Sequence, residues 1–235
     1  MDKDAPAQLE SIKRFYNTEY YRDSRTPRTV TGHYRRLAER LDITARTRVL
    51  DVACGRGDWL LAARERGATV AGIDLSDRAI GHCREAMPDG EFAVGPAETL
   101  PFADMRFNLV TCLGSLEHFV DKPGALREMQ RVATPDARFL LLVPNAGFLT
   151  RRLGLYGGTN QKGVKEDVYA LDTWAGLFAD AGLAIDARWA DLHVLSWEWI
   201  RKSHPAMWPL RALQALALTL WPLGWQYQVF FLCHR

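Results

Sequence analysis

The sequence is poor in cysteine and has no cluster of metal-ligating residues. Its four cysteines, Cys54, Cys83, Cys112 and Cys233, stand far apart in 235 residues. There is no C-x-x-C pair and no histidine cluster at ligand spacing. This pattern argues against a disulfide framework and against a structural zinc site, so we expect no metal. Reduced, buried thiols are the simplest interpretation.

The chain also lacks an excess of charge of either sign. Thirty Lys and Arg residues stand against 28 Asp and Glu residues, for a formal net charge of +2. A polycation built for nucleic acid is therefore not expected. Glycine (18) and proline (11) are too few for a collagen-like or low-complexity chain. The first residues are charged and lack the apolar run of a signal peptide, so we expect a cytoplasmic protein.

Short apolar runs alternate with helical patterns from about residue 48 to residue 191. The predicted strands cover 48–54, 69–74, 91–94, 107–113, 138–143, 183–189 and 226–233. The predicted helices cover 58–66, 76–86, 121–132 and 173–181. Strands separated by helices of this length indicate a parallel sheet with both faces covered. We predict an α/β fold with a doubly wound, mostly parallel seven-stranded sheet.

A glycine-rich turn follows the first predicted strand, and a carboxylate ends the second. Gly55 and Gly57 allow the backbone to approach a ligand closely, and Asp74 can accept hydrogen bonds from both hydroxyls of a ribose. Dinucleotide-binding turns have a third glycine where this chain has Leu60. Asp51 and Asp58 add negative charge, which suits a sulfonium and an amino group better than a pyrophosphate. A tight turn without any ligand is the remaining alternative.

Five segments together resemble the motifs of class I S-adenosylmethionine-dependent methyltransferases. They are Val49–Gly57, Ala71–Ser76, Gly95–Phe102, Phe107–His118 and Leu140–Asn145, in the family's order. Within this superfamily the sequence is most similar to quinone-biosynthesis and other small-molecule methyltransferases. The resemblance runs from about residue 48 to residue 191 and implies the Rossmann-like methyltransferase fold and S-adenosylmethionine as cofactor.

The resemblance also implies a set of cofactor-binding residues. They are Asp51, Ala53, Gly55, Gly57, Asp74, Leu75, Ala97, Glu98, Leu113 and Tyr20. Asp51, Gly55 and Gly57 would surround the methionine moiety, with Leu113 beside it. Asp74 would bind the ribose, and Leu75 and the Ala97 N–H would contact the adenine.

Two parts of this assignment depart from the family or stay open. Many relatives have an aspartate at Pro96 that binds the adenine amino group, so Glu98 is the candidate substitute. An N-terminal helix closes over the cofactor in similar enzymes, with Tyr16, Tyr20 or Tyr21 as the contact. Plain packing of an amphipathic helix is the alternative for these tyrosines.

The implied reaction is methyl transfer, for which His118 and Glu117 are the catalytic candidates. His118 directly follows the fourth strand, and an imidazole titrates near neutral pH, so it could remove a proton from an acceptor. Both residues could instead belong to a structural turn. O-methylation is the simplest chemistry. The Glu117–Phe119 loop also resembles that of cyclopropane-fatty-acid synthases, which methylate lipid double bonds, and a cofactor-binding protein without catalysis is a further alternative.

Two regions outside the repeating pattern differ in composition. We divide the chain into an N-terminal helical cap (1–47), the cofactor-binding core (48–191), an apolar insertion (192–225) and a last strand (226–235). A basic, glycine-containing segment (148–165) follows the fifth strand and carries Arg151, Arg152, Lys162 and Lys165.

The apolar insertion holds five of the eight tryptophans: Trp197, Trp199, Trp208, Trp221 and Trp225. It predicts either a lid or dimer helix, or a helix at a membrane interface through residues 205–225. Each interpretation favours a hydrophobic or lipid-like acceptor, or a hydrophobic partner. The protein would be a monomer or a homodimer, cytoplasmic or peripheral at a membrane.

Overall fold

The computed structural model describes residues 5–22, 30–154, 166–195, 200–201 and 204–235. The strands are β1 (Arg48–Val52), β2 (Thr69–Asp74), β3 (Glu91–Val94), β4 (Phe107–Leu113), β5 (Ala133–Pro144), β6 (Ala184–Ala190) and β7 (Gln228–His234). The helices are α1 (Ala5–Phe15), α2 (Gly32–Arg40), α3 (Asp58–Glu65), α4 (Asp77–Ala86), α5 (Lys122–Val132), α6 (Leu149–Arg152), α7 (Leu171–Asp180) and α8 (Trp208–Leu220). A π-helical turn at Tyr16–Tyr20 continues α1.

The seven strands form one sheet in the order β3-β2-β1-β4-β5-β7-β6. The pairs from β3 to β5 are parallel, and β7 lies antiparallel between β5 and β6. The strand order reverses between β1 and β4, the position where open α/β sheets bind ligands. The predicted fold class, a mostly parallel seven-stranded sheet, is confirmed.

Local signals explain why the elements begin and end where they do. Ser76 caps α4 by accepting a hydrogen bond from the Ala79 N–H, and Asp121 caps α5 by accepting one from the Gly124 N–H. The two predicted helices 76–86 and 121–132 begin at these cap residues, and β2, β3 and β4 have the predicted bounds. Strand β5 is longer than predicted, since it starts at Ala133, paired with Phe107, and continues across a register shift.

Alternating side chains of the strands build a core on each face of the sheet. Leu50 and Val52 lie in the cluster that packs α5 and α7, whereas Val49 lies in the cluster that packs α2, α3 and α4. All four cysteines are buried and unpaired, as expected.

The apolar insertion leaves the sheet after β6 and returns at β7. Strand β6 runs parallel to β5, so the insertion lies at the carboxyl edge of the sheet, together with the turn after β1. Within the part of the chain that the structure describes, no helix is long and apolar enough to cross a bilayer. Lys162, Lys165, Trp197 and Trp199 lie outside the described residues.

Candidate functional site

The turn between β1 and α3, residues 53–58, has an unusual backbone. Ala53, Gly55 and Gly57 all have positive φ angles, of 59°, 52° and 76°. Glycine adopts this region without cost, but a residue with a Cβ is strained there. Such strain concentrates at ligand sites, and Ala53 places it next to the predicted cofactor turn.

Close packing as well as φ requires the two glycines of this turn. A Cβ on Gly57 would lie 2.8 Å from Met87 Cε and 3.0 Å from Cys83 Sγ. A Cβ on Gly55 would lie 2.9 Å from the Tyr21 hydroxyl, because the N-terminal segment packs against the turn. Gly57 therefore allows close packing against α4 and the residue after it, and Gly55 leaves room for the Tyr21 hydroxyl.

The third glycine of dinucleotide-binding turns has a counterpart elsewhere in this chain. Leu60 is fully buried, and the space for its side chain comes from Gly72 on β2. A Cβ on Gly72 would lie 3.1 Å from Leu60 Cδ1 and 2.7 Å from Cys54 Sγ. A glycine on the strand thus achieves the close packing of helix on strand that a glycine on the helix would provide.

Asp74, at the end of β2, is hydrogen-bonded to the backbone on both sides. Its Oδ2 accepts from the Gly55 N–H at 2.9 Å, and its Oδ1 accepts from the Ser76 N–H at 2.8 Å. Burial raises the pKa of this carboxyl, while the two N–H donors lower it. Each oxygen has a second lone pair, so Asp74 is held in place and can still accept from a ligand.

Asp51, inside β1, is positioned by a buried chain of hydrogen bonds. The Trp59 indole N–H donates to Thr111 Oγ1 at 3.1 Å, and Thr111 Oγ1 donates to Asp51 Oδ1 at 2.5 Å. Burial raises the pKa of Asp51 to about 7, against the Thr111 hydrogen bond, which lowers it. A positively charged ligand would favour the ionised carboxylate. Ionisation of Asp51 and binding of such a ligand would therefore strengthen each other.

A cavity of about 540 Å³ opens at these residues. This volume lies within the range of small-molecule sites, roughly 300–1,000 Å³. Of the predicted residues, the following line it: Asp51, Ala53, Gly55, Asp74, Leu75, Ala97, Glu98, Leu113, Tyr20 and His118. Gly57 and Glu117 do not line it. Sequence reasoning did not place Trp59, Tyr34, Arg56, Ser115 or Phe119 in the lining.

The N-terminal segment forms one wall of the cavity. Tyr16, Tyr20 and Tyr21 all line it, so the three tyrosines left open by the sequence share this wall. The Ser76 hydroxyl donates to Asn17 Oδ1 at 2.6 Å, and Lys13 lies 2.9 Å from Asp77. These contacts fasten the segment to the start of α4, directly beside Asp74.

The opposite part of the cavity contains Leu75, Ala97 and Glu98. Glu98 Oε1 accepts from the Val120 and Asp121 N–H groups, each at 3.2 Å. Within the described residues its second oxygen makes no hydrogen bond. The carboxylate is therefore fixed in the lining, and its role as the replacement for the aspartate missing at Pro96 stays a prediction.

The two catalytic candidates lie in different surroundings. His118 lines the cavity, one residue after Glu117 in the short 3₁₀ turn that follows β4. Glu117 is 3% exposed, and its Oε2 has no hydrogen-bond partner in the part of the chain described. Burial raises the pKa of Glu117 to about 8. His118 thus faces the ligand space, whereas Glu117 is buried behind it.

Two further histidines meet a carboxylate outside the cavity lining. His193 Nδ1 lies 2.9 Å from Asp191, and His33 Nε2 lies 3.3 Å from the same side chain. This cluster joins α2 to the end of β6. Among the described residues, no group of three His, Cys, Asp or Glu side chains is arranged to hold a metal ion.

The fold and the site together define the class of protein. The strand order, the glycine turn and an acidic β2 end that face one cavity are those of class I S-adenosylmethionine-dependent methyltransferases. The cavity fits that cofactor, because Asp74 keeps lone pairs for a ribose, the turn lines the cavity through Gly55, and Asp51 places a second carboxyl group in the lining. A family model described as "Methyltransferase domain" matches residues 22–188. The chain therefore belongs to the methyltransferase-domain family.

Curated relatives match somewhat less than half of the chain. Methyltransferase GfsG of Streptomyces halstedii is 38% identical over 114 residues, 45% of this chain and 40% of that protein. Demethylmenaquinone methyltransferase of Thermotoga maritima is 34% identical over 111 residues, 45% of this chain and 48% of that protein. The alignments thus span less than half the length of these relatives, and they support the similarity to quinone-biosynthesis methyltransferases.

Solved structures share the fold over more of the chain. One chain of the complex between the Haloferax volcanii Trm112 methyltransferase activator and a methyltransferase has a TM-score of 0.65, 18% identity and coverage of 100% and 98% of the two chains. An S-adenosylmethionine-dependent methyltransferase from Mesorhizobium loti has a TM-score of 0.63, 19% identity and coverage of 87% and 99%. At this identity they show the fold alone.

Proposed function

We propose that this protein transfers the methyl group of S-adenosylmethionine to a small, hydrophobic or lipid-like acceptor, most simply at a hydroxyl oxygen. One observation carries the proposal. Asp51, Asp74 and the glycine turn line the same cavity as His118, so a cofactor site and a candidate base face one space.

The contacts of Asp74 and Asp51 assign a separate role to each carboxyl group in this cavity. Bound S-adenosylmethionine supplies a methyl group that is already activated by its sulfonium. Asp74, fixed by two backbone N–H donors, would hold the ribose, and Asp51 would favour a cationic methionine moiety. Alignment of acceptor and donor can supply about 7–11 kcal/mol of the barrier.

His118 is the proposed general base for an acceptor that must lose a proton. His118 lines the cavity together with Ser115 and Phe119, after the end of β4. A positioned base contributes roughly 10²–10⁴-fold to such reactions. The cyclopropane-synthase-like alternative rests on the loop Glu117–Phe119. Because Glu117 does not line the cavity, this alternative has less support than methyl transfer with His118 as base.

A hydrophobic acceptor is favoured by the apolar insertion and by the relatives. The insertion lies at the sheet edge that carries the cavity, and Gln228 at its return lies 3.4 Å from the position of a Cβ on Gly114, a lining residue. C-methylation of a quinone-like ring is a second candidate. A protein named ubiquinone/menaquinone biosynthesis C-methyltransferase, from Geotalea uraniireducens, is 34% identical over 118 residues.

The test combines cofactor binding with methyl transfer. Calorimetry with S-adenosylhomocysteine should show binding that the Asp74→Asn variant weakens. Incubation with methyl-labelled S-adenosylmethionine and a panel of hydroquinones, phenols and unsaturated lipids should move label into one class, and NMR of the product would distinguish oxygen from carbon. A folded protein that binds no cofactor would contradict the proposal, and cofactor binding without transfer to any of these classes would favour the non-catalytic alternative.

A further inference from the structure

We propose that the exposed leucine face of α8 binds the surface of a lipid bilayer that contains anionic headgroups. The face consists of Leu210, Leu213, Leu216 and Leu220, which are 56%, 64%, 62% and 82% exposed. Single apolar side chains on a protein surface are ordinary, but four on one 13-residue helix form a continuous patch. A patch of this kind indicates a binding surface.

The four leucines lie together because of their spacing. At 100° per residue, separations of three, three and four residues put them within about a third of the helix circumference. Ala215, on the other side of the helix, is 3% exposed and packs on the protein. The single charged residue of the helix, Arg211, is half-buried, so the leucine face itself has no charge.

The charges around this face complement an anionic surface. In sequence, the apolar insertion (192–225) contains one acidic residue, Glu198, which lies outside the described part, against Arg201, Lys202 and Arg211. Arg151 and Arg152 are exposed after β5, at the same edge of the sheet. An apolar face with basic and few acidic neighbours is typical of interfacial helices on anionic lipid. Two copies of this chain would instead bring basic residues together.

Aromatic side chains stand at both ends of α8. The Arg201 guanidinium lies 5.7 Å from the ring centre of Trp208, at the start of the helix. Trp221 and Trp225 follow its end, with ring centres 6.4 Å apart. Indole rings favour the headgroup level of a bilayer, because they combine an apolar body with one N–H donor. The helix thus has the flanks that an interfacial position requires.

Side-chain hydrogen bonds connect the end of α8 to the sheet edge that carries the cavity. The Gln226 side chain donates to the Leu218 carbonyl at 2.7 Å and to that of Trp221 at 3.3 Å, which ties the end of α8 to the start of β7. Asn145, after β5, donates to the Gly224 carbonyl at 2.9 Å. A protein docked through α8 would therefore present the carboxyl edge of its sheet to the bilayer. Binding itself does not depend on the proposed methyl transfer.

Vesicle co-sedimentation of the full chain tests the proposal. We expect the wild type to pellet with vesicles of phosphatidylcholine and phosphatidylglycerol, and less with phosphatidylcholine alone. Replacing three leucines together, Leu213→Gln, Leu216→Gln and Leu220→Gln, should weaken partitioning by about tenfold or more, because apolar side chains leave the lipid. Met105→Gln is the matched control, since Met105 is 63% exposed at the opposite edge of the sheet. Arg201→Gln should reduce the preference for anionic vesicles.

Each other outcome contradicts the proposal. Wild-type protein that stays in solution with both vesicle types would overturn it, as would a triple variant that pellets like the wild type. A wild-type dimer in light scattering, converted to a monomer by the triple variant and indifferent to vesicles, would assign the face to a second copy. The triple variant should bind S-adenosylhomocysteine with unchanged affinity, which verifies its fold. If it does not fold, Leu216→Gln alone takes its place, and binding equal to wild type would then count against the proposal.

Discussion

The Asp74 carboxylate accepts a hydrogen bond from the Gly55 N–H at 2.9 Å, which joins the end of β2 to the turn after β1 across nineteen positions of the sequence. The residue that would hold a ribose therefore also holds the turn in place. Removing its charge should affect the ligand and the turn together.

Asp74→Asn should weaken cofactor binding by about 10- to 100-fold. A hydrogen bond to a charged group is worth about 1.5–3 kcal/mol, and the amide NH2 that replaces one carboxylate oxygen is a donor, so it accepts neither from the backbone N–H nor from a ligand hydroxyl. Calorimetry with S-adenosylhomocysteine would measure the loss. Asp89→Asn, an exposed carboxylate paired with Arg64, is the control and should bind normally. Equal affinity of the Asp74 variant and the wild type would refute the site assignment.

The affinity for S-adenosylmethionine should rise with pH through the titration of Asp51. Burial raises its pKa to about 7, so near pH 6 the carboxyl is mostly neutral and attracts a cation poorly. Between about pH 6 and pH 7.5 the affinity should increase about fivefold to tenfold, as the ionised fraction grows. S-adenosylhomocysteine, which lacks the sulfonium charge, should respond less, and Asp51→Asn should flatten the profile. A pH-independent affinity of the wild type would argue against contact between Asp51 and the positive charge.

Glu117→Gln should stabilise the protein near neutral pH. The folded-state pKa of Glu117, about 8, lies above its ordinary value near 4.5 because of burial. The folded protein accommodates the protonated form of Glu117. The stability that depends on this neutral form is fully present below about pH 4.5 and is lost as the pH rises towards 8. The neutral amide should add about 1–3 kcal/mol to the free energy of unfolding at pH 7.5, and almost nothing at pH 4.

Urea denaturation at the two pH values measures this effect. Glu85→Gln, on the exposed side of α4, serves as control and should change stability little at either pH. A destabilised Glu117 variant at pH 7.5 would mean that the carboxylate has a favourable partner in the folded protein.

Two glycine-to-alanine substitutions should have opposite effects. Gly57→Ala should destabilise the protein by about 1–3 kcal/mol, because φ is +76° and the Cβ would meet Met87 and Cys83. Gly81→Ala, inside α4 with no atom within 4 Å of the new Cβ, should stabilise it by about 0.5–1 kcal/mol. Thermal denaturation of both variants checks the pair. A neutral Gly57 variant would show that the turn tolerates a side chain.

His118→Gln should lower turnover with little change in cofactor affinity. If His118 removes the acceptor's proton, its loss should cost roughly 10²–10⁴-fold in kcat, with S-adenosylhomocysteine binding intact. His234→Gln is the control, since His234 lies at the end of β7 and pairs with Asp186. Full activity of the His118 variant would show that alignment of the acceptor is sufficient.

The sheet could be predicted from the sequence because its strands are short apolar runs with clear boundaries. Strand β2 ends at Asp74 and α4 begins after Ser76. These two polar residues therefore predicted both the end of the strand and the start of the helix. The start of β5 escaped prediction, because Thr134, Pro135 and Asp136 are polar or break strands, yet the strand continues there across a bulge. Tertiary pairing with β4 overrides these local preferences.

The parts of the site that form a local sequence motif could be predicted. The parts that depend on contacts between residues distant in the sequence could not. The glycine turn and Asp74 could be read directly, but the strained φ of Ala53 has no sequence signal. The chain from Trp59 through Thr111 to Asp51 joins residues more than fifty positions apart. Gly72, which provides the close packing that dinucleotide-binding turns obtain from a third glycine, was missed for the same reason.

The position of β7 determines when this fold can be completed during synthesis. Residues 228–234 pair with β5 on one side and β6 on the other, although they are made last of the seven strands. Until they have left the ribosome, two strands have open edges that can pair with another nascent chain. We therefore expect fragments that end before residue 228 to leave the edges of β5 and β6 open and to aggregate.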